Sequence, residues 1–259
     1  MCLITVACGL RADYPLLLAA NRDEFFARPT DPARFWPETP HLLAGRDLEQ
    51  GGTWLGITRS GRIAALTNFR DGARKRAGRR SRGWLVRDFL LSQHAPDAFL
   101  AGVHRDRSQY DGFNLLVGTH QGLYHYSNET GAVTALATGV HGLSNHLLNT
   151  PWPKVERARA RLSGLASDAA GALPQRLFDL LADDAQAPDD ALPATGVPLE
   201  WERLLSSAFI RSAGYGTRCS TVILVSAGGE VRFEERTFSA AHALAGQRVE
   251  TFELVRSDS

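Results

Sequence analysis

Met1-Cys2-Leu3-Ile4-Thr5-Val6-Ala7-Cys8-Gly9 opens the chain, and Leu16-Leu17-Leu18-Ala19-Ala20-Asn21-Arg22-Asp23-Glu24 follows shortly after it. Both stretches read as short strands, over residues 2–7 and 16–20, bounded by turn residues. The second runs straight into four consecutive polar side chains. A strand that enters a core rarely ends in four hydrogen-bonding groups without a use for them, although a surface loop with a capped turn looks the same. If extension continues, alternation sends Asn21 and Asp23 to one face and Arg22 and Glu24 to the other, so all four serve one ligand only if the strand bends. Cys2 matters for a different reason. Cells usually remove an initiator Met that precedes a small residue, which would leave a thiol and a free α-amine on one residue. An α-amine titrates near pH 8 and can take the proton from its own side chain, the logic of N-terminal nucleophiles. Taken alone, a Cys in a strand is more often a core residue.

Working outward, residues 54–58 and 62–67 read as strands joined by the turn Ser60-Gly61. Trp84, Leu85, Phe89 and Leu90 recur at helical spacing within residues 83–93, and Pro96 opens a second short helix. Strands return at 113–117, 123–126 and 133–137 as a meander. Helices follow at 155–165, behind Pro151 and Pro153, and at 175–182, behind Pro174. Residues 183–198 lack any apolar period and read as a mobile loop. A short helix over 201–208 leads to a closing hairpin, 221–225 with 231–236, over Ala227-Gly228-Gly229. Early strands, helices, more strands, helices and a hairpin give an α+β class with extensive antiparallel pairing, expected as one domain over residues 1–259.

Composition agrees with a globular chain: 259 residues, 44% hydrophobic and 22% charged, which excludes overall disorder. Lys+Arg 29 against Asp+Glu 28 leaves a net charge of +1, so no global field recommends nucleic acid or an anionic membrane as partner. No basic leader precedes the first apolar run, and no stretch approaches the roughly 18–20 apolar residues of a membrane span, so a cytoplasmic location is expected. Cys2, Cys8 and Cys219 have no Cys-x-x-Cys spacing. Glycine-rich nucleotide fingerprints and His-Glu-x-x-His are missing, and no metal or cofactor is expected.

Three more apolar segments end in a polar residue: Asn68 after residues 64–67, Asn145 in Gly142-Leu143-Ser144-Asn145, and Arg218 just before Cys219-Ser220-Thr221. An Asn side chain can donate to a developing oxyanion and an Arg can fix a carboxylate, whereas Asn at a strand end is also an ordinary turn former. With Cys2 and residues 21–24 they form a constellation. Arg70, Arg74, Lys75, Arg76, Arg79, Arg80 and Arg82 crowd one Gly-containing stretch that could hold phosphate, acyl-CoA or haem propionates, or be a solvated loop. Of eight histidines, His146 lies nearest this constellation in sequence, beside Asn145.

The start Met-Cys-Leu-Ile, the tetrad Asn21-Arg22-Asp23-Glu24, Gly51-Gly52-Thr53-Trp54-Leu55-Gly56, Thr67-Asn68-Phe69-Arg70, Ser81-Arg82-Gly83 and Leu143-Ser144-Asn145 together resemble the NRDE family, also called the transport and Golgi organisation protein 2 family. The resemblance covers nearly the whole chain. It implies a four-layer αββα sandwich of two mainly antiparallel sheets, the N-terminal-nucleophile (Ntn) hydrolase type, distantly similar to penicillin V acylase, bile salt hydrolase and acid ceramidase. Carried over, it implies Cys2 as nucleophile and amine base, Arg22 and Asp23 as its tuning pair, Asn68 and Asn145 as oxyanion donors, and Arg218 near the thiol. The acylases separate their Arg and Asp by two residues, whereas Arg22 and Asp23 are adjacent, which leaves Asn21 or Glu24 open as a replacement for one of them. Two activities are compatible with the resemblance. One is a cysteine Ntn amidohydrolase cleaving an amide or thioester. The other is a non-catalytic carrier of a small amphipathic or acyl ligand such as haem, lipid or acyl-CoA.

Overall fold

Strands β1 (Cys2–Cys8) and β2 (Leu16–Phe25) carry apolar residues on both faces because both faces are covered. Leu3, Ala7, Leu17 and Ala19 pack on one side against helices, while Ile4, Val6, Leu16, Leu18 and Ala20 pack on the other against a second sheet. A strand buried twice reads as a continuous apolar run rather than an alternating one, which is how both appear in the sequence. The computed structural model describes residues 2–72 and 80–255, and of Cys2 only the backbone.

The remaining strands are β3 (Thr30–Trp36), β4 (Thr39–Asp47), β5 (Leu55–Thr58), β6 (Arg62–Asn68), β7 (Phe113–Thr119), β8 (Gly122–Ser127), β9 (Val133–Ala135), β10 (Gly139–Leu143), β11 (Tyr215–Val225), β12 (Glu230–Phe238) and β13 (Leu244–Glu253). They form a six-stranded sheet, β10-β1-β2-β11-β12-β13, and a seven-stranded sheet, β3 to β9 in chain order. Every pairing is antiparallel. Helices α3 (Pro153–Ser163) and α4 (Leu173–Leu181) cover the outer face of the first sheet through Val155, Ala158, Leu162, Leu177 and Leu181. Helices α1 (Gly83–Leu91) and α2 (Pro96–Arg105) cover the second through Leu85, Val86, Phe89, Leu100 and Val103. The result is the α+β, four-layer αββα sandwich expected from the sequence. Among the described residues no helix is long and apolar enough to cross a membrane.

Four strands carry no readable period. β3 contains Pro32 and breaks register twice, between Asp31 and Arg34 and between Phe35 and Trp36. β4 continues that irregular ribbon, β10 is short and contains Gly139 and Gly142, and β13 is exposed over most of its length. Residues 183–198 are not the loose loop their composition suggests. The Asp183 carbonyl accepts from the Ala208 and Phe209 amides at 3.0 and 2.8 Å, the Ala187 amide donates to Ser206 Oγ at 2.9 Å, and the Gly72 amide donates to the Thr195 carbonyl at 2.9 Å. Missing apolar period excluded a helix or a strand there; it did not exclude a strap held by polar contacts.

Gly72 and Gly196 touch so closely that a Cβ at Gly72 would run into the Gly196 carbonyl. Gly164, at the C-cap of α3 with φ −64° and ψ −16°, has open space where its Cβ would stand. Gly72→Ala is therefore expected to destabilise the protein by about 1–3 kcal/mol. Gly164→Ala should stabilise it by about 0.4–1 kcal/mol. Urea midpoints at unchanged m-value measure both; a neutral Gly72→Ala would show that the strap is not packed as described.

Candidate active site

Register brings the candidate residues together. Cys2 lies opposite Arg22, and Arg22 lies opposite Cys219, so the three form a row across β1, β2 and β11. Asp23 lies opposite Thr217. Between Thr217 and Cys219 the register shifts, and Arg218 is the extra residue of a β-bulge, a device that re-aims a side chain. Its Nη1 donates to the carbonyls of Phe25 and Arg28 at 2.8 and 3.0 Å, and its guanidinium stands 5.3 Å from the Phe26 ring centre. Leu143, the last residue of β10, pairs with Ile4, so Ser144 and Asn145 continue beside the start of β1. Asn145 is fully buried, and its Nδ2 donates to the Asn68 carbonyl at 2.9 Å, where β6 of the other sheet ends. The Arg70 amide returns a bond to the Asn145 carbonyl at 2.7 Å. The ends of β1, β2, β6, β10 and β11 thus meet at one end of the sandwich.

The tetrad keeps its strand alternation. Asn21 Nδ2 donates to the carbonyls of Leu181 and Ala208 at 2.8 and 2.7 Å, and its Oδ1 accepts from Ser220 Oγ at 2.6 Å, so this amide braces the helical layer to the sheet. Asp23 is on the same side: Thr217 Oγ1 donates to its Oδ1 at 2.7 Å while accepting from the Ile210 amide at 2.9 Å. Arg22 turns the other way, stacking 4.2 Å from the Trp54 ring centre and donating to Thr30 Oγ1 at 3.1 Å. Glu24 is half-buried, and its Oε1 accepts from the amide of its neighbour Phe25 at 2.9 Å.

Burial dominates the electrostatics. It pushes the Asp23 carboxyl above its ordinary range, while the charges of the amino terminus and Lys154, the Thr217 bond and the charge of Arg70 act against it. Lys154, in the first turn of α3, is buried to 1% exposure. Arg70 Nη1 bonds Glu202 Oε2 at 2.8 Å in a buried ion pair, with Glu202 on α5 (Leu199–Leu204). Glu202 Oε1 accepts from the Thr195 amide and hydroxyl at 2.8 and 2.6 Å, and the Arg70 guanidinium stacks 4.7 Å from the Trp152 ring centre. On the inter-sheet side, Glu235 accepts from the Ala33 amide at 2.7 Å and Thr221 Oγ1 at 3.1 Å; burial raises its pKa, and those bonds, one from Cys219 and the charge of Arg22 offset part of the rise.

Lys154, Glu202, Thr217 and Glu235 were not singled out by sequence reasoning. Lys154 had a signal: it is one of two lysines among 29 basic residues, kept where the chain otherwise uses Arg. The others sit in segments with no linear mark. The basic stretch divides. Arg70 is buried and paired, Arg80 Nη1 donates to Gln109 Oε1 at 3.1 Å, and Arg82 Nη1 donates to the Gly112 carbonyl at 2.9 Å. Arg74, Lys75, Arg76 and Arg79 lie outside the described residues, as do Met1 and the side chain of Cys2. His146 Nδ1 pairs with Thr150 Oγ1 at 2.9 Å, its ring packs between Phe69 and Trp152, and burial lowers its pKa. Among the described residues no group of three His, Cys, Asp or Glu side chains is placed to hold a metal ion.

The family model described as "Transport and Golgi organisation 2" matches residues 1–240. The chain belongs to that family. The Transport and Golgi organization protein 2 homolog of Bos taurus is 42% identical over 248 residues, 86% of this chain and 87% of its own. Among solved structures, the N-acylethanolamine-hydrolyzing acid amidase ortholog of Caenorhabditis elegans superposes with a TM-score of 0.50 at 13% identity, over 86% of this chain and 92% of its own. A mutant of the conjugated bile acid hydrolase from Clostridium perfringens gives a TM-score of 0.53 at 8% identity, over 98% and 92%. At such identities the two structures establish that this member of the Transport and Golgi organisation 2 family has the Ntn-hydrolase-type sandwich.

The raised Glu235 carboxyl has a measurable sign. A carboxyl whose folded pKa lies above its ordinary 4.5 binds protons more readily folded than unfolded, so its stabilisation is present at low pH and is lost as pH rises through the folded value. Glu235→Gln removes that titration, keeps the Ala33 bond on its amide oxygen, and leaves its NH2 to donate to Thr221 Oγ1 with the hydroxyl turned to accept. Relative to wild type the variant is expected to gain stability as pH climbs above 4.5, with a slope of at most about 1.4 kcal/mol per pH unit. Urea midpoints across the acid-to-neutral range read this out, and a difference that stays flat with pH would contradict a raised carboxyl.

Proposed function

We propose that the chain is a cysteine N-terminal-nucleophile-type hydrolase that cleaves an amide or thioester of an acyl substrate through Cys2. The observation that carries the reading is the row Cys2, Arg22 and Cys219, with Asp23, Asn68, Asn145 and Arg218 gathered at the same end of the sandwich from strands distant in sequence. On this reading Met1 is removed and the α-amine of Cys2 takes the thiol proton. The thiolate attacks the acyl carbon, an S–C bond forms, and the C–N or C–S bond of the leaving group breaks as the ammonium returns its proton to that group. Water, deprotonated by the same amine, then hydrolyses acyl-Cys2. Arg22, directly opposite Cys2 in the register, favours the thiolate. Asp23, one residue further along β2 and buried on its other face, holds the amine. Asn145 spends one Nδ2 proton on the Asn68 carbonyl and has a second for the oxyanion, which the Asn68 amide joins. The reading takes the cytoplasm, where thiols stay reduced, as the compartment in which Cys2 works.

Three variants test the reading on protein with Met1 removed. Arg22→Leu should raise the midpoint of the Cys2 alkylation-rate profile against pH by about 1–3 units, since it deletes the cation beside the thiolate. Cys2→Ser should acylate far more slowly with a thiol-directed acyl probe, and Cys2→Ala not at all, with peptide mapping separating Cys2 from Cys8 and Cys219. Intact mass from the native host completes the set. Retained Met1 on functional protein, or a fully functional Cys2→Ala, would hand the assignment to the non-catalytic carrier of haem, lipid or acyl-CoA, in keeping with the word "transport" in the relatives' names.

A further inference from the structure

A sheet edge exposes backbone donors and acceptors that template pairing with another chain, and proteins usually blunt such edges. Three of the four edges here are blunted. β9 is three residues long. β3 carries Pro32 and two register shifts. β10 is closed by a loop residue and a helix side chain: Asn149 accepts from the Gly142 amide through Oδ1 at 2.8 Å, its backbone amide donates to the Gly142 carbonyl at 2.7 Å, and Arg159 Nε donates to the Val140 carbonyl at 3.4 Å.

β13 has none of these devices. It runs ten residues, holds a regular register with β12 from Gly246 to Glu253, and has seven of its ten residues exposed. Among the described residues no helix or loop bonds its outer backbone. Leu244 and Val249 on it and Val255 just beyond it are exposed apolar side chains. Its charges are also unspent, because neither Arg248 nor Glu250 makes an ion pair among the described residues.

We propose that β13 is the interface of a homodimer, pairing antiparallel with β13 of a second copy about a twofold axis at Val249. The order Arg248-Val249-Glu250 is self-complementary under that operation. Val249 meets Val249, Arg248 of each copy faces Glu250 of the other, and Gln247 faces Thr251. The neighbouring registers that keep the same faces together are centred on Arg248 or Glu250, and each sets two like charges opposite one another at the axis. Charge therefore selects one register as well as favouring association. A second copy meets this edge with its own equally open edge, so both are covered at once and the two six-stranded sheets become one continuous sheet.

Sedimentation velocity on the full chain tests this. Wild type should show a concentration-dependent dimer. Arg248→Glu and Glu250→Arg should each raise the dimer dissociation constant at least about tenfold. The double swap, which restores opposite charges across the axis, should return it to within about threefold of wild type. Circular dichroism identical to wild type certifies that these surface variants fold. A wild type that stays monomeric up to about 100 µM overturns the proposal. So do single swaps without effect, or a double swap that fails to rescue, since either places the contact elsewhere.

Discussion

The antiparallel register of β2 between β1 and β11 is the constraint on which the polar end of the molecule depends. Because side chains alternate with a period of two, a slip of one residue would carry Arg22 out of the inter-sheet space and Asp23 into it, and would expel Leu16, Leu18 and Ala20 from the central core. The apolar halves of these strands hold that register at great cost to any alternative. The polar halves inherit it. The bulge at Arg218 is the single place where β11 departs from it, and there the extra residue is anchored on the carbonyls of Phe25 and Arg28 rather than on the ladder.

Placing charge at such a buried end is costly unless each group has a partner. The structure meets that demand by linking the charges to backbone that must be ordered anyway. Glu202 holds Arg70, Thr195 holds Glu202, and the Arg70 amide holds Asn145, which in turn holds the end of β6. The strap over residues 183–198 is therefore part of the scaffold of the site: it supplies Thr195 and packs Gly196 against Gly72. On the opposite face Glu235 ties β12 to β3 through Ala33, drawing the irregular ribbon of the second sheet toward Arg22.

The legible parts of the sequence were those in which a single strand carries its own period or its own motif. Both faces of β1 and β2, the meander β7 to β9, and helices α1 to α4 follow from apolar spacing, and the family motifs pointed to Cys2, Arg22, Asp23, Asn68, Asn145 and Arg218. β3, β10 and β13 escaped because edge strands are not buried on both faces and admit proline, glycine and charge. Lys154, Glu202 and Glu235 escaped because their environment is assembled by tertiary contacts: a Glu on a six-residue helix such as α5 looks solvated until Arg70 arrives from a segment remote in sequence.

The adjacency of Arg22 and Asp23, set against the two-residue gap of the acylases that the sequence resembles, is resolved by parity. Residues at i and i+1 point to opposite faces of a strand, and so do residues at i and i+3. Either spacing sends the cation to one face and the carboxylate to the other. Here the cation lies in the inter-sheet space over Trp54, and the carboxylate lies on the helical side within the fields of Lys154 and Arg70. Asn21 cannot replace Asp23, since its amide is committed to Leu181, Ala208 and Ser220, and Glu24 falls on the face of Arg22, so its carboxylate is on the wrong side of the strand to take the place of Asp23. On the proposed reading the two faces of one strand then divide the labour: Arg22 serves the thiol and Asp23 serves the amine, and the spacing between them is free to change by two without exchanging those roles.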